Sequence, residues 1–181
     1  MSMLYHLLES STLEINNKIF FSKKELSSVW TSKLYNCINK SFMASIDHMF
    51  HIDAPIEKVF RAITSIEGLR NWWTTGAAGE TEVGGTITFP FTDEARCVMN
   101  VHSKENNKTL TWKCVEGPDD WIGTELGFEL APVSGKIRVR FTHSGWKQQN
   151  DFFANCNFSW GKYLQSLRQL CEIGKGAPFV D

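Results

Sequence analysis

The sequence has little net charge and no segment long and apolar enough to span a membrane. Its 181 residues include 19 Lys and Arg against 20 Asp and Glu, for a formal net charge of −1. Nucleic acids and anionic membranes attract proteins with a basic surface, so neither is a predicted partner. A membrane helix needs ~20 consecutive apolar residues, and no run in this chain approaches that length.

The sequence lacks any regular pattern of cysteines. The five cysteines are odd in number, form no Cys-x-x-Cys motif and follow no secretory signal; they are Cys37, Cys97, Cys114, Cys156 and Cys171. This pattern argues against a disulfide framework and indicates a reducing, cytoplasmic setting.

The sequence also lacks the motifs of metal and nucleotide sites. His48 and His51 are three residues apart on a predicted strand, which places them on opposite faces. The glycine-rich segment 76–85 lacks the Gly-Lys-Ser/Thr ending of a phosphate-binding loop and the context of a dinucleotide fingerprint. We therefore predict no metal and no cofactor.

Aromatic residues, in contrast, are abundant. They make up 13% of the chain, with 7 Trp and 13 Phe, and support one well-packed domain. The patterned segments all follow Met43, so residues 43–181 are the predicted domain. Residues 1–42 show no sustained period and are predicted to be a poorly structured extension or the product of a mis-assigned start codon.

The first half of the domain predicts a strand, two short helices and then strands. The strand covers 46–52, and Asp53 with Pro55 supplies a predicted capping side chain and a first-turn proline. Apolar residues at helical spacing follow over 56–63, and a second helix is predicted over 65–72.

Two antiparallel hairpins follow, each with alternating apolar residues. In the first, Val101 faces Leu110 if the turn lies at Glu105–Asn106; a turn at 106–107 shifts the register but keeps the same apolar face. In the second, Phe128 is predicted to face Val139 around a loop at 131–135. Each hairpin contributes one apolar surface to a core.

A long amphipathic helix over 147–172 closes the chain, and Gly174 and Gly176 are predicted to end it. Together these elements predict an α+β domain in which a curved antiparallel sheet wraps around the long C-terminal helix, with two short helices after the first strand. Such a sheet is wide enough to leave a cavity beneath the helix, which is the candidate site.

Six short motifs between about residues 46 and 179 carry a resemblance to a known family; they are Ile52–Pro55, Glu67–Trp73, Trp121–Glu125, Leu130–Val133, Thr142–Trp146 and Trp160–Leu164. Through them the chain resembles the START-like (SRPBCC) superfamily, which has the helix-grip fold, and within it the branch similar to the C-terminal domain of the heat-shock-protein-90 ATPase activator. It implies a ligand cavity between sheet and C-terminal helix. Members of the superfamily include carriers of lipid-like molecules, polyketide cyclases, hydrolase-like enzymes and co-chaperones, so the fold alone does not determine the function.

Large side chains are predicted to line this cavity, because two aromatic-rich faces meet where the helix crosses the sheet. A solid core made by the same residues is the alternative. The predicted ligand-binding residues are Trp72, Phe89, Met99, Trp112, Thr124, Phe128, His143, Phe153 and Trp160. Of the adjacent pair Trp72 and Trp73, one is expected to be partly exposed as a lid.

Three hypotheses for the function follow. The first is a binding protein that encloses a small hydrophobic or aromatic molecule. The second is a cyclase- or hydrolase-like enzyme in which His143 transfers a proton; Thr124 on the facing strand is a similar inward-facing polar group. The third is a co-chaperone-type module that binds a chaperone. An imidazole bonded to the backbone at the cavity rim is the alternative role for His143.

Overall fold

The structure is a computed structural model that describes residues 43–92 and 95–180. The predicted extension, residues 1–42, lies outside the described residues and remains a prediction. In chain order the elements are β1 Ala44–Ile52, α1 Ile56–Thr64, α2 Ile66–Trp72, β2 Ala78–Gly79, β3 Thr86–Pro90, β4 Arg96–Glu105, β5 Thr109–Glu116, β6 Glu125–Val133, β7 Lys136–Trp146 and α3 Asp151–Ile173.

The strands form one open, curved antiparallel sheet. Their order is β1-β7-β6-β5-β4-β3-β2, and every neighbouring pair runs antiparallel. Successive residues along β3 to β7 alternate between buried and more accessible positions, so one face of the sheet is buried under the helices. The predicted α+β helix-grip architecture is confirmed.

The two short helices form a corner whose packing depends on one glycine. Ser65 ends α1 and caps α2, because its hydroxyl accepts a hydrogen bond from the Gly68 N–H at 3.1 Å. A Cβ on Gly68 would lie 2.3 Å from the Ala62 carbonyl oxygen, so only glycine permits this close approach. The Trp72 indole then donates to the same carbonyl at 3.0 Å and anchors α2 on α1.

The long helix α3 begins and ends with well-defined caps. The Asn150 side chain accepts from the Phe153 N–H at 2.9 Å, and Gly174 adopts the left-handed conformation with φ of 77°. Its buried face carries one polar residue, Ser166, and five apolar ones, which are Cys156, Trp160, Leu164, Leu167 and Cys171. The amphipathic pattern therefore identified the face that packs on the sheet.

The β4–β5 hairpin adopts one of the two predicted registers. Met99 lies opposite Cys114, and Val101 lies opposite Trp112. Asn107 has a φ of 58°, a left-handed conformation that asparagine tolerates better than most residues. The turn at Glu105–Asn106 is therefore wrong. The register of the later turn holds from Met99 to Val101, and a bulge between Val101 and Ser103 shifts the pairs next to the turn by one residue.

The β6–β7 hairpin differs from its predicted register by two residues. Phe128 lies opposite Phe141 rather than Val139, because the turn consists of only Ser134 and Gly135, with φ of 50° and 79°. A shift of two residues keeps the apolar face intact, since side chains alternate with a period of two. Glu129 accordingly lies opposite Arg140.

The predicted cap of α1 is also wrong. Pro55 occupies the N-cap position, and no side chain caps the helix. The Asp53 backbone N–H instead donates to the Glu172 carboxylate at 2.9 Å, which ties the start of α1 to the end of α3.

Candidate functional site: a cleft beside the aromatic core

A continuous cluster of aromatic rings fills the centre of the space between α3 and the sheet. Trp73 packs on Phe89 with ring centroids 4.0 Å apart, and Phe141 packs on Trp160 at 4.5 Å. Trp112 and Phe128 bridge these pairs, with centroids 5.8 Å apart. These side chains are at most 2% exposed, so the centre of the interface is a solid core.

A cleft of about 1100 Å³ lies beside this core, between the first half of α3 and the ends of β3, β4 and β5. It is open to solvent on one side. Most of its wall is apolar. The lining residues are Trp73, Thr88, Pro90, Phe91, Thr92, Ala95, Arg96, Cys97, Glu116, Gly117, Pro118, Trp121, Phe152, Asn155, Cys156, Ser159, Trp160 and Tyr163.

One of the nine sequence-predicted ligand-binding residues, Trp160, lines this cleft. Phe153 is half-buried and packs on Trp146 instead, at 5.1 Å between ring centroids. The remaining seven are buried outside the cleft lining; they are Trp72, Phe89, Met99, Trp112, Thr124, Phe128 and His143. The helix α3 contributes to the cleft wall, but most of the side chains that line the cleft are not among the nine predicted residues.

The predicted exposed tryptophan lid is absent from the described residues. Trp72 and Trp73 are 0% and 1% exposed and stack with centroids 5.7 Å apart. Trp72 is held by its hydrogen bond to α1, and Trp73 extends into the core and reaches the cleft wall. The expectation that one of them would be partly exposed is therefore wrong.

Sequence reasoning missed most of the cleft wall. Phe152, Cys156 and Tyr163 fall on the face of α3 that carries Trp160, at helical spacing, so this part of the wall had a recognisable signal. Trp121 had none, because it lies in the irregular segment before β6. Phe91 likewise follows β3 and reaches the cleft only through the bend of the chain.

Behind the cleft, His143 is held by hydrogen bonds to both ring nitrogens. The Trp160 indole N–H donates to Nδ1 at 3.1 Å, and Nε2 lies 2.9 Å from the Thr124 hydroxyl. The single Thr124 proton is donated to the Trp121 carbonyl at 2.6 Å. His143 Nε2 must therefore carry the proton that Thr124 accepts, and Nδ1 is the acceptor, so both contacts require the same neutral tautomer.

The surroundings of His143 also favour its neutral form. Its side chain is 0% exposed, and its ring lies 4.8 Å from that of Trp121 and 4.6 Å from that of Trp146. Burial lowers the pKa of His143 from 6.5 to about 3, because the imidazolium would lose its hydration. His143 is thus neutral at physiological pH and does not reach the cleft.

Two thiols form part of the cleft wall. Burial raises the pKa of Cys97 well above its usual value of 9.0, and the nearby Cys114 adds to this effect. Burial also raises the pKa of Cys156, while a hydrogen bond from the Trp121 indole, 3.4 Å from the sulfur, acts in the opposite direction. The four cysteines described by the structure are free and buried, and these two are protonated thiols at neutral pH.

The rim of the cleft carries one ion pair. The Arg96 guanidinium donates from Nη2 and Nε to a single Glu116 oxygen, at 2.5 and 3.0 Å. Both side chains are more than half exposed, so the pair contributes at most about 1 kcal/mol to stability and can open readily. The walls below this rim are mainly aromatic, which makes the cleft suited to an apolar molecule.

Residues 43–92 and 95–180 offer no group of three or more His, Cys, Asp or Glu that could hold a metal ion. Among the helices in this part of the chain, none is long and apolar enough to cross a membrane.

The fold and the cleft define a member of the SRPBCC class, which comprises ligand-binding and related modules. The family described as "Activator of Hsp90 ATPase homolog 1-like protein" matches residues 53–172, and the chain belongs to this family. The predicted resemblance to this branch is confirmed. No curated protein matches the chain.

Solved structures agree with this assignment. The Aha1 dimer from Colwellia psychrerythraea is 40% identical, with a TM-score of 0.69 over 74% of this chain and 100% of that one. CalU16 from Micromonospora echinospora is 16% identical, with a TM-score of 0.62 over 75% and 78%. Protein MLL2253 from Mesorhizobium loti is 21% identical, with a TM-score of 0.63 over 70% and 96%. The last two similarities concern the fold alone.

Proposed function

We propose that the chain binds a small hydrophobic or aromatic molecule in the cleft between α3 and the ends of β3, β4 and β5. The observation that carries this proposal is a cleft lined by large aromatic side chains from separate elements, three of them partly exposed and three forming its buried inner wall. These are Trp73, Phe91, Trp121, Phe152, Trp160 and Tyr163. Flat rings that cover this wall remove apolar area from water at ~25 cal/mol per Å², which offsets the entropy lost on association.

Binding is a better proposal than catalysis for this site. Catalysis by proton transfer needs a titratable group that can reach the substrate. His143 was the candidate, but both of its ring nitrogens are engaged and it lies behind the wall. The two thiols and the Tyr163 phenol that line the cleft are held protonated, because burial raises the pKa of each. The Glu116 carboxylate lies at the hydrated rim and is paired with Arg96. The geometry therefore favours a carrier or sensor over a cyclase or hydrolase.

The test is a fluorescence titration with N-phenyl-1-naphthylamine, an uncharged aromatic probe whose emission rises in apolar surroundings. We expect saturable binding by the full chain. Phe152→Ala removes one wall of the cleft and should weaken binding about fivefold, since an aromatic contact of this size contributes on the order of 1 kcal/mol.

The matched control lies on the same helix. Phe158 is six residues further along α3 but is 65% exposed on the outer face, where Lys162 lies 4.3 Å from its ring centroid. Phe158→Ala should leave the affinity unchanged. Absence of saturable binding, or an equal loss in both variants, would contradict the proposal. Native mass spectrometry of freshly purified protein would identify a retained ligand by its mass.

A second candidate function is supported by the comparisons. The family description and the 40% identity to the Colwellia Aha1 favour a module that binds a chaperone of the Hsp90 type and stimulates its ATPase. The test is the ATP hydrolysis rate of a purified Hsp90 with and without the full chain at micromolar concentration. A rate that rises with added protein supports this candidate, and an unchanged rate argues against it.

A further inference from the structure

Two indoles that form the inner wall of the cleft lie parallel although they come from different parts of the chain. The rings of Trp121 and Trp160 are stacked with centroids 6.1 Å apart and an interplanar angle of 15°. Trp160 lies on α3, whereas Trp121 lies in the irregular segment between β5 and β6. The Trp121 indole N–H donates to the Cys156 sulfur on α3 at 3.4 Å, which links the irregular segment directly to the helix. This bond does not involve the Trp160 indole N–H, which needs an acceptor of its own.

His143 on β7 supplies a connection to each indole. It accepts the Trp160 indole N–H at 3.1 Å, and its ring lies edge-on to Trp121 at 4.8 Å and 83°. Through Thr124 it is also linked to the Trp121 backbone, since the Thr124 hydroxyl accepts from Nε2 and donates to the Trp121 carbonyl. One imidazole therefore links both indoles to β7 in the central sheet, in addition to the bond between Trp121 and Cys156.

We propose that His143 is a positioning residue for the cleft, which holds the stacked indoles of Trp121 and Trp160 in the arrangement that binds an apolar ligand. This inference rests on the proposed binding function. His143 does not contact the ligand, and it acts through the Trp160 indole N–H that it accepts. A leucine at position 143 would fill the same space but leave the buried Trp160 N–H without an acceptor. The indole ring would then shift to bring this N–H to another acceptor.

Two conservative substitutions separate the hydrogen bonds of His143. In His143→Asn, the side-chain oxygen occupies the place of Nδ1 and can still accept from Trp160. In His143→Gln, the amide nitrogen reaches the place of Nε2 and can donate to Thr124, but the acceptor for Trp160 is lost. Val139→Ala is the control for stability alone, because Val139 is buried on the same strand and face but does not line the cleft.

The experiment measures N-phenyl-1-naphthylamine affinity and thermal unfolding for the full chain and the three variants. We expect His143→Gln to bind the probe about tenfold more weakly, because the loss of one buried hydrogen bond changes an equilibrium constant by up to about tenfold. The affinity of His143→Asn should stay within about twofold of that of the original chain. Val139→Ala should lower the unfolding temperature without a matching loss of affinity. Equal affinities for the Gln and Asn variants, or an equal loss in Val139→Ala, would overturn the inference.

A second readout remains decisive if the probe does not bind at all. In nitrogen-15 spectra, the Trp160 indole N–H should keep its shift and slow exchange in His143→Asn and lose both in His143→Gln. A Trp160 signal that is unchanged in His143→Gln would refute the positioning role. Absence of probe binding by the original chain refutes the proposed function, and the spectra then decide the role of His143 independently.

Discussion

The interface between α3 and the sheet has a closed part at its centre and an open part at the first turns of α3, called below its closed end and its open end. Both are built from the same kinds of side chain but have opposite properties. Around Trp112 and Phe128 the rings interlock and no solvent reaches them. Around Trp121 and Phe152, at the first turns of the helix, similar rings line an open cleft of about 1100 Å³. Because a sheet twists, a helix that crosses it packs closely on the strands over only part of the helix length. Beyond that part, the aromatic rings of the helix and the sheet face the cleft instead of each other.

The comparison shows that aromatic richness by itself does not identify a binding wall. A ring stabilises the fold where another layer touches it and is available to a ligand where none does. Substitutions at the two ends should therefore separate stability from binding.

The largest expected effect is at the closed end. Trp112→Ala should lower the free energy of unfolding by about 3–5 kcal/mol, because a fully buried indole is replaced by a cavity. Phe152→Ala at the open end should cost only about 1–2 kcal/mol, since that ring is half-buried. Guanidinium titrations measure both values. Equal losses of stability would mean that the two ends do not differ as described.

The second effect concerns pH. Because burial lowers the pKa of His143 from 6.5 to about 3, the unfolded chain takes up a proton between these values and the folded chain does not. The stability contribution is present above pH 6.5 and is lost as the pH falls toward 3. Between pH 7 and pH 5 we expect a loss of about 2 kcal/mol from this residue.

His143→Asn is the control for this prediction, because it cannot titrate in this range and leaves all other groups unchanged. Urea titrations at pH 7 and pH 5 should show a smaller loss of stability in the variant. The same loss in both proteins would mean that His143 is protonated in the folded state.

The third effect is at the N-terminus of α3, which borders the open end. Asn150→Ala removes the cap of α3 and should cost about 1 kcal/mol, because the Phe153 N–H loses its acceptor. Asn157→Ala, at an exposed position within the same helix, should be neutral or slightly stabilising. Thermal unfolding distinguishes them, and equal effects would show that the cap contributes nothing.

The smallest effect is at the rim. Glu116→Gln breaks the ion pair with Arg96 and should change stability by less than about 1 kcal/mol, because both groups are well hydrated. The change should shrink further in high salt, where exposed charges are screened. Denaturant titrations at low and high sodium chloride measure it, and a larger or salt-independent loss would indicate that the rim is structural.

The fold was predictable from the sequence because it depends on periodicity. Apolar residues every second position identified the strands, and the stripe containing Cys156, Trp160 and Leu164 identified the buried face of α3. The β6–β7 register was missed because one short turn replaced a longer loop at Ser134–Gly135, yet the buried face was still right. A period of two does not distinguish registers that differ by two residues.

The site was less predictable, because a hydrophobic pattern reports that a side chain is buried and not what it is buried against. Phe89 and Trp112 were assigned to a ligand on the same grounds that make them core residues, and the structure packs them against Trp73. Trp121 carried no periodic signal at all, since it lies in an irregular segment.

The order of residues by itself determined which elements form, which face of each is apolar and the family to which the chain belongs, because these depend on local spacing and on recurring motifs. Only the tertiary structure decided where a cleft opens between α3 and the sheet, which indoles line it and that His143 lies behind them with both nitrogens occupied. Those properties arise from distances between residues far apart in the chain, and close packing settles them only when all the layers are assembled.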